Sequence, residues 1–287
     1  MKECCGTLFI CSTPIGNLQD ASPRLINTLR EAGLIIAEDT RTLKKLFVRF
    51  EIKKPSSAII SYQDYSSDAK TRRIIDEIKN GRDAALVSEA GTPSIQDPGY
   101  KIIRDCIQEG IKVSAIPGPS AAISALIVSG LPTDSFLFLG FPPKKNSKLI
   151  EKLQSLKYLP YTLIFYESPL RIISLLKMLA DKIGDRNCCI AREMTKLYEE
   201  TIRGSIKEVS NELVKRQESG RKLKGEIVLV VQGYSQKLIT DYSTTEIINE
   251  FRQLVSSNIS SREALKILRS RYDIDRNRLY EITTKIK

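Results

Sequence analysis

Three apolar runs of this chain each stop at a loop made of glycine, proline and small hydroxyl residues. Thr7–Cys11 runs into Ser12-Thr13-Pro14-Ile15-Gly16-Asn17, and Ala84–Val87 into Ser88-Glu89-Ala90-Gly91-Thr92-Pro93-Ser94-Ile95-Gln96-Asp97-Pro98-Gly99. Ile111–Ile116 runs into Pro117-Gly118-Pro119-Ser120-Ala121. Short continuous apolar runs separated by helical patterns describe a mostly parallel sheet covered on both faces. In such a sheet, ligands sit outside the carboxyl ends of the strands. The three loops therefore predict one site. After the second run, Asp97 as N-cap and Pro98 at N1 predict a helix whose apolar face carries Ile102, Ile103, Cys106 and Ile107.

The alternation persists through the first part of the chain. Ser22 as N-cap with Pro23 at N1 starts a helix that Gly33 stops, and Leu34–Ala37 is the next strand. Ala58–Tyr62 is another strand, followed by an amphipathic helix over Ala69–Asn80 that Gly81 ends. Ala121–Ser129 reads as a helix leading out of this domain. A second α/β portion follows, with strands at Phe136–Gly140, Tyr161–Glu167 and Gly225–Val231. Ser168 and Pro169 open a helix there, and Cys188–Arg192 with Glu199–Arg203 reads as an antiparallel pair. Ser205 with Glu208, and Ser260 with Glu263, are capping boxes. From Tyr234 onward the pattern is helical and polar.

Composition narrows the chemistry. The chain has no histidine, so Ser-His-Asp, Cys-His and H-E-x-x-H machinery is excluded, and proton transfer falls to Asp, Glu, Lys, Tyr or water. Its six cysteines (Cys4, Cys5, Cys11, Cys106, Cys188 and Cys189) lack C-x-x-C spacing, which favours burial over zinc or disulfides. Neither G-x-G-x-x-G nor G-x-x-x-x-G-K-[ST] occurs, so the loops meet their ligand by backbone approach and shape. No apolar segment reaches the roughly eighteen residues of a membrane span. The start of the chain has no signal-peptide pattern, and the expected location is cytoplasmic. A formal net charge of +11 suits a polyanionic partner, with a lysine-rich genome as the alternative source.

Eight ordered motifs carry a resemblance. They are Ser12–Leu18, Ala37–Arg41, the Ser88–Tyr100 loop, Ile116–Ala121, Gly130–Asp134, Phe165–Pro169, Ala191–Lys196 and Gly225–Leu229. Over residues 6 to 233 the chain resembles the ribosomal RNA small subunit methyltransferase I family, within the tetrapyrrole-methylase-like superfamily. The resemblance implies a two-domain α/β fold (αβα + αβα) with a cofactor cleft between the domains and a small C-terminal helical appendage. The expected division is 1–118, 119–233 and 234–287. It implies transfer of a methyl group from S-adenosylmethionine to the ribose 2′-oxygen of a cytidine in the decoding region of small-subunit (16S) ribosomal RNA. The implied partner is that RNA or the small ribosomal subunit, and the implied assembly is a homodimer. The family pattern usually has Asp at Glu89 and Gly at Ser94. It has histidines in the Ser61–Tyr65 segment and at Leu170, so none of those histidines is an indispensable base.

The expected cofactor neighbours are Pro14, Glu89, Gly91, Thr92, Pro93, Ile95, Ser120, Ala121, Ala122, Tyr166, Met194, Gly225, Glu226 and Ile227; the small residues among them let a ligand approach the backbone. Methyl transfer from a sulfonium needs alignment and a group to assist the hydroxyl, and it requires no metal. Glu38, Asp39, Glu193 and Lys196 are catalytic candidates at strand ends, with a salt bridge or a helix cap as the competing role for each. Tyr166 and Glu167 share that ambiguity, and Asp97 reads as a cap before a site residue. For RNA, the run from Arg41 sets Arg41, Lys44, Lys45, Arg49, Lys53 and Lys54 against Glu51 alone, and Lys144, Lys145 and Lys148 form a second basic loop. A corrin-type tetrapyrrole methylase and a non-catalytic RNA-binding protein on the same fold are the rival readings.

Overall fold

The computed structural model describes residues 5–221, 223–235, 240–256 and 259–284. Met1–Cys4, including one of the cysteines considered above, lie outside the described residues. Two compact units form, Met1–Gly233 and Tyr234–Lys287.

The first unit holds two five-stranded sheets. Strands β1 (Thr7–Cys11), β2 (Leu34–Ala37), β3 (Ile59–Ser61), β4 (Ala84–Val87) and β5 (Lys112–Ile116) run parallel in the order β3-β2-β4-β1-β5. β2 and β4 are buried along their whole length, which is why they read as unbroken apolar runs. Helices α1 (Pro23–Glu31) and α2 (Thr40–Arg49) cover one face through Leu25, Leu29, Leu43, Leu46 and Phe47. Helices α3 (Asp68–Lys79) and α4 (Tyr100–Gln108) cover the other through Ile74, Ile75, Ile78, Ile102 and Cys106. The order of strands reverses between β1 and β4, so a crevice opens between their carboxyl ends.

Helix α5 (Ala121–Ser129) leads to a mixed sheet of β6 (Phe136–Phe138), β7 (Thr162–Glu167), β8 (Asn187–Arg192), β9 (Glu200–Ser205) and β10 (Ile227–Val231). Its order is β6-β7-β10-β8-β9, with β6 parallel to β7 and every other pair antiparallel. Helices α6 (Asn146–Leu156), α7 (Ile172–Lys182) and α8 (Ile206–Glu218) pack on one face, and α5 packs on the other through Ala122, Ala125 and Leu126. The Ser205–Glu208 capping box is complete.

Three local expectations are corrected. α4 starts at Tyr100, and its cap position is Gly99 at φ +140°, not Asp97. The Asp64 carboxylate accepts the Gly99 N–H at 2.9 Å, and among the described residues no side chain accepts from the first-turn N–H groups of α4. On the same helix Ile107 is exposed rather than part of the buried face. Finally, α7 starts at Ile172, so Ser168 and Pro169 belong to the preceding loop.

Cys11, Cys106, Cys188 and Cys189 are buried free thiols, and Cys5 is exposed. Burial pushes Cys11, Cys106 and Cys188 up to about 12, so these thiols are inert core residues. The second unit contains α9 (Thr244–Ser256), α10 (Ser261–Arg271) and α11 (Arg276–Thr284) around Ile247, Leu268, Tyr272, Ile274 and Leu279. Ser260 caps α10 by accepting the Glu263 N–H, whereas the Glu263 carboxylate returns to the Ser260 hydroxyl instead of its backbone, so the second box is incomplete. Among the described residues, no helix is long and apolar enough to cross a membrane.

Candidate functional site

Backbone pairing holds the three glycine-proline loops together. Thr13 and Gly91 exchange both N–H···O bonds, at 2.8 and 3.1 Å. The Ser12 and Thr92 hydroxyls lie 3.0 Å apart, and Thr92 Oγ1 donates to the Pro119 carbonyl at 3.4 Å. A Cβ on Gly118 would lie 2.9 Å from the Ser12 Cβ, so only glycine permits this approach of the first and third loops. Gly91 itself sits at φ +77°.

These loops form one wall of a cavity of about 410 Å³. The opposite wall comes from the second sheet: Phe141 after β6, Tyr166 to Pro169 at the end of β7, and Gly225 to Val228 at the start of β10. Gln96 joins the walls at one edge. It takes a left-handed backbone, φ +66°, and its Oε1 accepts the Phe141 N–H at 3.4 Å. A Cβ on Gly140 would lie 2.4 Å from the Gln96 amide carbon. Ser94 is also left-handed, at φ +70°. Two left-handed non-glycine residues thus fall in the loop that lines the cavity.

The structure brings many of the expected cofactor neighbours to this wall: Glu89, Gly91, Thr92, Ile95, Ser120, Ala121, Tyr166, Gly225, Glu226 and Ile227. It places four others behind it. Pro14 and Pro93 are buried under the loops, Ala122 faces the second sheet from α5, and Met194 sits in the apolar cluster with Ile15. Also lining the cavity are Asp97, weighed from sequence as a cap before a site residue, Ile15, Gln96 and Phe141, not singled out there, and Glu167, Ser168 and Pro169, of which Glu167 alone was weighed. The Phe-Tyr-Glu-Ser-Pro motif was the available signal for the last three. Asp97 was masked by its resemblance to a helix cap.

None of the four catalytic candidates lines the cavity. Asp39 caps α2, accepting the Arg41 N–H at 2.6 Å and pairing with its guanidinium at 3.1 Å, and these bonds hold its pKa below the usual range. Lys196 lies 3.1 Å from Glu193 Oε1 and 3.2 Å from Glu226 Oε2, and Glu193 Oε1 also accepts the Glu226 N–H at 3.1 Å. This trio braces the entry to β10. Glu38, at the end of β2, points one carboxylate oxygen into a buried position with no hydrogen-bond partner. Burial raises its pKa, a hydrogen bond from the Glu89 backbone opposes, and the charges of Glu89, Asp39 and Asp64 add to the rise.

Four carboxylates stand on the wall itself. Glu167 is buried; its Oε1 accepts the Ser168 N–H at 2.8 Å and its Oε2 faces the Arg171 guanidinium at 3.5 Å. Glu226 is held by Lys196, and exposed Glu89 accepts the Thr42 hydroxyl at 3.4 Å. Asp97 is pushed up to about 6, first by burial and then by Glu38, with Glu89 and Glu226 contributing and a Ser88 hydrogen bond opposing. Among the described residues no group of three or more acidic, cysteine or histidine side chains is arranged to hold a metal ion.

The basic runs flank this cavity. Arg41, Lys44, Lys45 and Arg49 are exposed on α2, whose first turn reaches Glu89 through Thr42. Lys54 departs from the expected basic face: its ammonium donates to the Ala32 carbonyl and burial lowers its pKa. Lys144 and Lys145 are exposed just beyond Phe141, and Arg171 fixes that loop by donating to the Pro143 carbonyl at 3.2 Å.

Comparison with known proteins supports the fold. Residues 7–210 match the family of tetrapyrrole (corrin/porphyrin) methylases. A ribosomal RNA small subunit methyltransferase I from Halalkalibacterium halodurans is 39% identical over 280 residues, covering 96% of this chain and 94% of that protein. One from Thermotoga maritima is 44% identical over 229 residues, covering 79% of this chain and 99% of its own. Among solved structures, a uroporphyrin-III C-methyltransferase from Thermus thermophilus, complexed with S-adenosylhomocysteine, shares the fold. Its TM-score is 0.52 at 14% identity, covering 79% of this chain and 97% of that one.

Proposed function

Because the chain belongs to the tetrapyrrole (corrin/porphyrin) methylases, in the branch of ribosomal RNA small subunit methyltransferase I, we propose that it methylates the ribose 2′-oxygen of a cytidine in the decoding region of 16S ribosomal RNA. The methyl donor is S-adenosylmethionine. The observation that carries the reading is the cavity. It is large enough for a nucleoside-sized ligand, and glycine and small side chains make its floor.

The residues fit that donor. Ile15, Ile95, Phe141 and Tyr166 offer apolar and aromatic surface for a purine, with Phe141 edge-on to Tyr166 at 5.6 Å between centroids. Gly91, Thr92, Ser120 and Ala121 leave backbone groups accessible to its polar edges. Asp97, Glu89 and Glu226 supply negative charge suited to a sulfonium. When bound, the donor brings an already activated methyl group; the chain's part is to orient the two substrates, exclude water and manage one proton.

The exposed cations of α2 and the Lys144-Lys145 loop support an RNA acceptor, since phosphate contacts position a nucleic acid at such a cleft. Its proposed place of action is the cytoplasm. Incubation with methyl-labelled S-adenosylmethionine and unmodified small subunits, followed by nucleotide mapping, tests the reading. Label on a single ribose 2′-oxygen is expected; label on a base would overturn the 2′-O assignment.

A further inference from the structure

Resting on that reading of the reaction, we infer that Asp97 is the catalytic residue that receives the proton of the acceptor hydroxyl. A ribose hydroxyl attacks well only as its proton leaves, and this chain has no histidine to take it. The acceptor must be a side chain on the cavity wall that is neither paired with a cation nor open to solvent.

Three of the four wall carboxylates fail that requirement. Glu167 is paired with the Arg171 guanidinium, although its Oε2 accepts no hydrogen bond among the described residues. Glu226 is paired with Lys196, and Glu89 is exposed to solvent and bonded to Thr42. Asp97 is the half-buried acid of the wall, and among the described residues it enters no ion pair. The structure also removes its apparent alternative duty, because the cap position of α4 is Gly99 and Asp97 accepts no bond from its first turn.

The groups facing Asp97 explain its basicity. Glu38 at the end of β2, Glu89 at the end of β4 and Glu226 before β10 are all acidic, and Tyr166 approaches from β7. The Ser88 hydroxyl acts in the opposite sense. Repulsion among these carboxylates favours protonation, so a proton arriving at Asp97 relieves charge rather than creating it. Glu38, off the wall, acts as a positioning residue that sets this field.

The step balances. The ribose oxygen bonds to the donor methyl carbon, the C–S electron pair stays on sulfur, and the hydroxyl proton passes to Asp97. A sulfonium and a carboxylate become a thioether and a carboxylic acid, which then returns its proton to water.

The test compares Asp97→Asn and Glu38→Gln with the parent enzyme on unmodified small subunits. Asp97→Asn is expected to lower kcat by about 100-fold or more. Its affinity for S-adenosylhomocysteine by calorimetry should stay within about threefold, and ¹³C-carboxyl titration should lose one resonance with a midpoint near 6. In the parent, kcat should fall on the acid side of that midpoint, and Glu38→Gln should move the fall to lower pH. Retention of kcat by Asp97→Asn would overturn the inference alone. So would a loss expressed only as weaker S-adenosylhomocysteine binding. Failure of the parent enzyme to methylate ribose would instead overturn the proposed reaction. Should Asp97→Asn not fold, the Glu38→Gln pH profile decides: an unmoved acid limb counts against Asp97.

Discussion

The backbone N–H of Asn17 donates to the Thr195 hydroxyl across 3.1 Å, joining the loop after β1 to the loop after β8. Thr195 holds a left-handed backbone at φ +67° to make this bond, an uncommon conformation for a β-branched residue. Beside it, Gly16 leaves room for the Lys196 stem: a Cβ there would lie 2.5 Å from Lys196 Cγ and 2.8 Å from Thr195 Oγ1. The joint therefore depends on glycine for space rather than for backbone freedom.

Gly16→Ala should open this joint. Lys196 would have to move, weakening its pairs with Glu193 and Glu226, and the expected loss is about 1–2 kcal/mol of stability by chemical denaturation. Because Ile15 is the adjacent wall residue, S-adenosylhomocysteine binding should weaken in parallel. A variant with the parent's denaturation midpoint would show that Lys196 swings aside freely.

Which features could be read from sequence follows from how local their causes are. The parallel strands were legible because β2 and β4 are buried on both faces and carry no polar residue to interrupt the run. The loop cluster was legible because close backbone approach demands glycine, as at Gly118. Ser94 is instructive: the resemblance leads one to expect glycine there, and the left-handed backbone at φ +70° is one that glycine adopts without cost. Asp97 was misread because Asp-Pro before an apolar run satisfies every local rule for a helix start. The helix starts two residues later, after Gly99, whose N–H is held by Asp64, far away in the chain. Likewise the salt-bridged roles of Glu193 and Lys196 depend on Glu226 and Gly16, which no local pattern connects to them.

The pH dependence of stability should carry the imprint of the buried acids. Asp97 has a folded-state pKa of about 6 against an ordinary 3.8, and Glu38 is also raised. Between those values the folded state binds more protons than the unfolded chain. The contribution of Asp97 is therefore fully present below about pH 4 and lost as pH rises through about 6, and that of Glu38 has the same sign. Other carboxylates act in the opposite direction, so the measurable quantity is a difference. The stability of Asp97→Asn minus that of the parent should grow by about 1–2 kcal/mol from pH 4 to pH 7, after discounting the shift for solvent screening. A constant difference across that range would mean Asp97 titrates normally.

Arg171 and Glu167 should show strong coupling. The Glu167 side chain is only 1% exposed, and Arg171 is the cation beside it. Arg171→Met would leave a buried carboxylate without compensation and should cost about 3 kcal/mol. Adding Glu167→Gln should recover most of that loss, because the stranded charge disappears. A double variant no more stable than Arg171→Met would assign the loss to the Arg171–Pro143 bond that fixes the basic loop.

The surface of α2 separates acceptor binding from donor binding. Lys44 and Lys45 are exposed, whereas the buried side of the same helix, Leu43, Leu46 and Phe47, anchors it to the sheet. Reversing both charges with Lys44→Glu and Lys45→Glu should leave folding and S-adenosylhomocysteine affinity intact. Binding of unmodified small subunits should weaken by about tenfold or more at low salt, and the slope of log affinity against log salt should become shallower by about two. Because the contribution is one of counterion release, the gap between variant and parent should narrow as salt rises. A gap independent of salt would mean that these lysines do not contact phosphate, leaving the Lys144-Lys145 loop as the basic element to examine on the other side of the cavity.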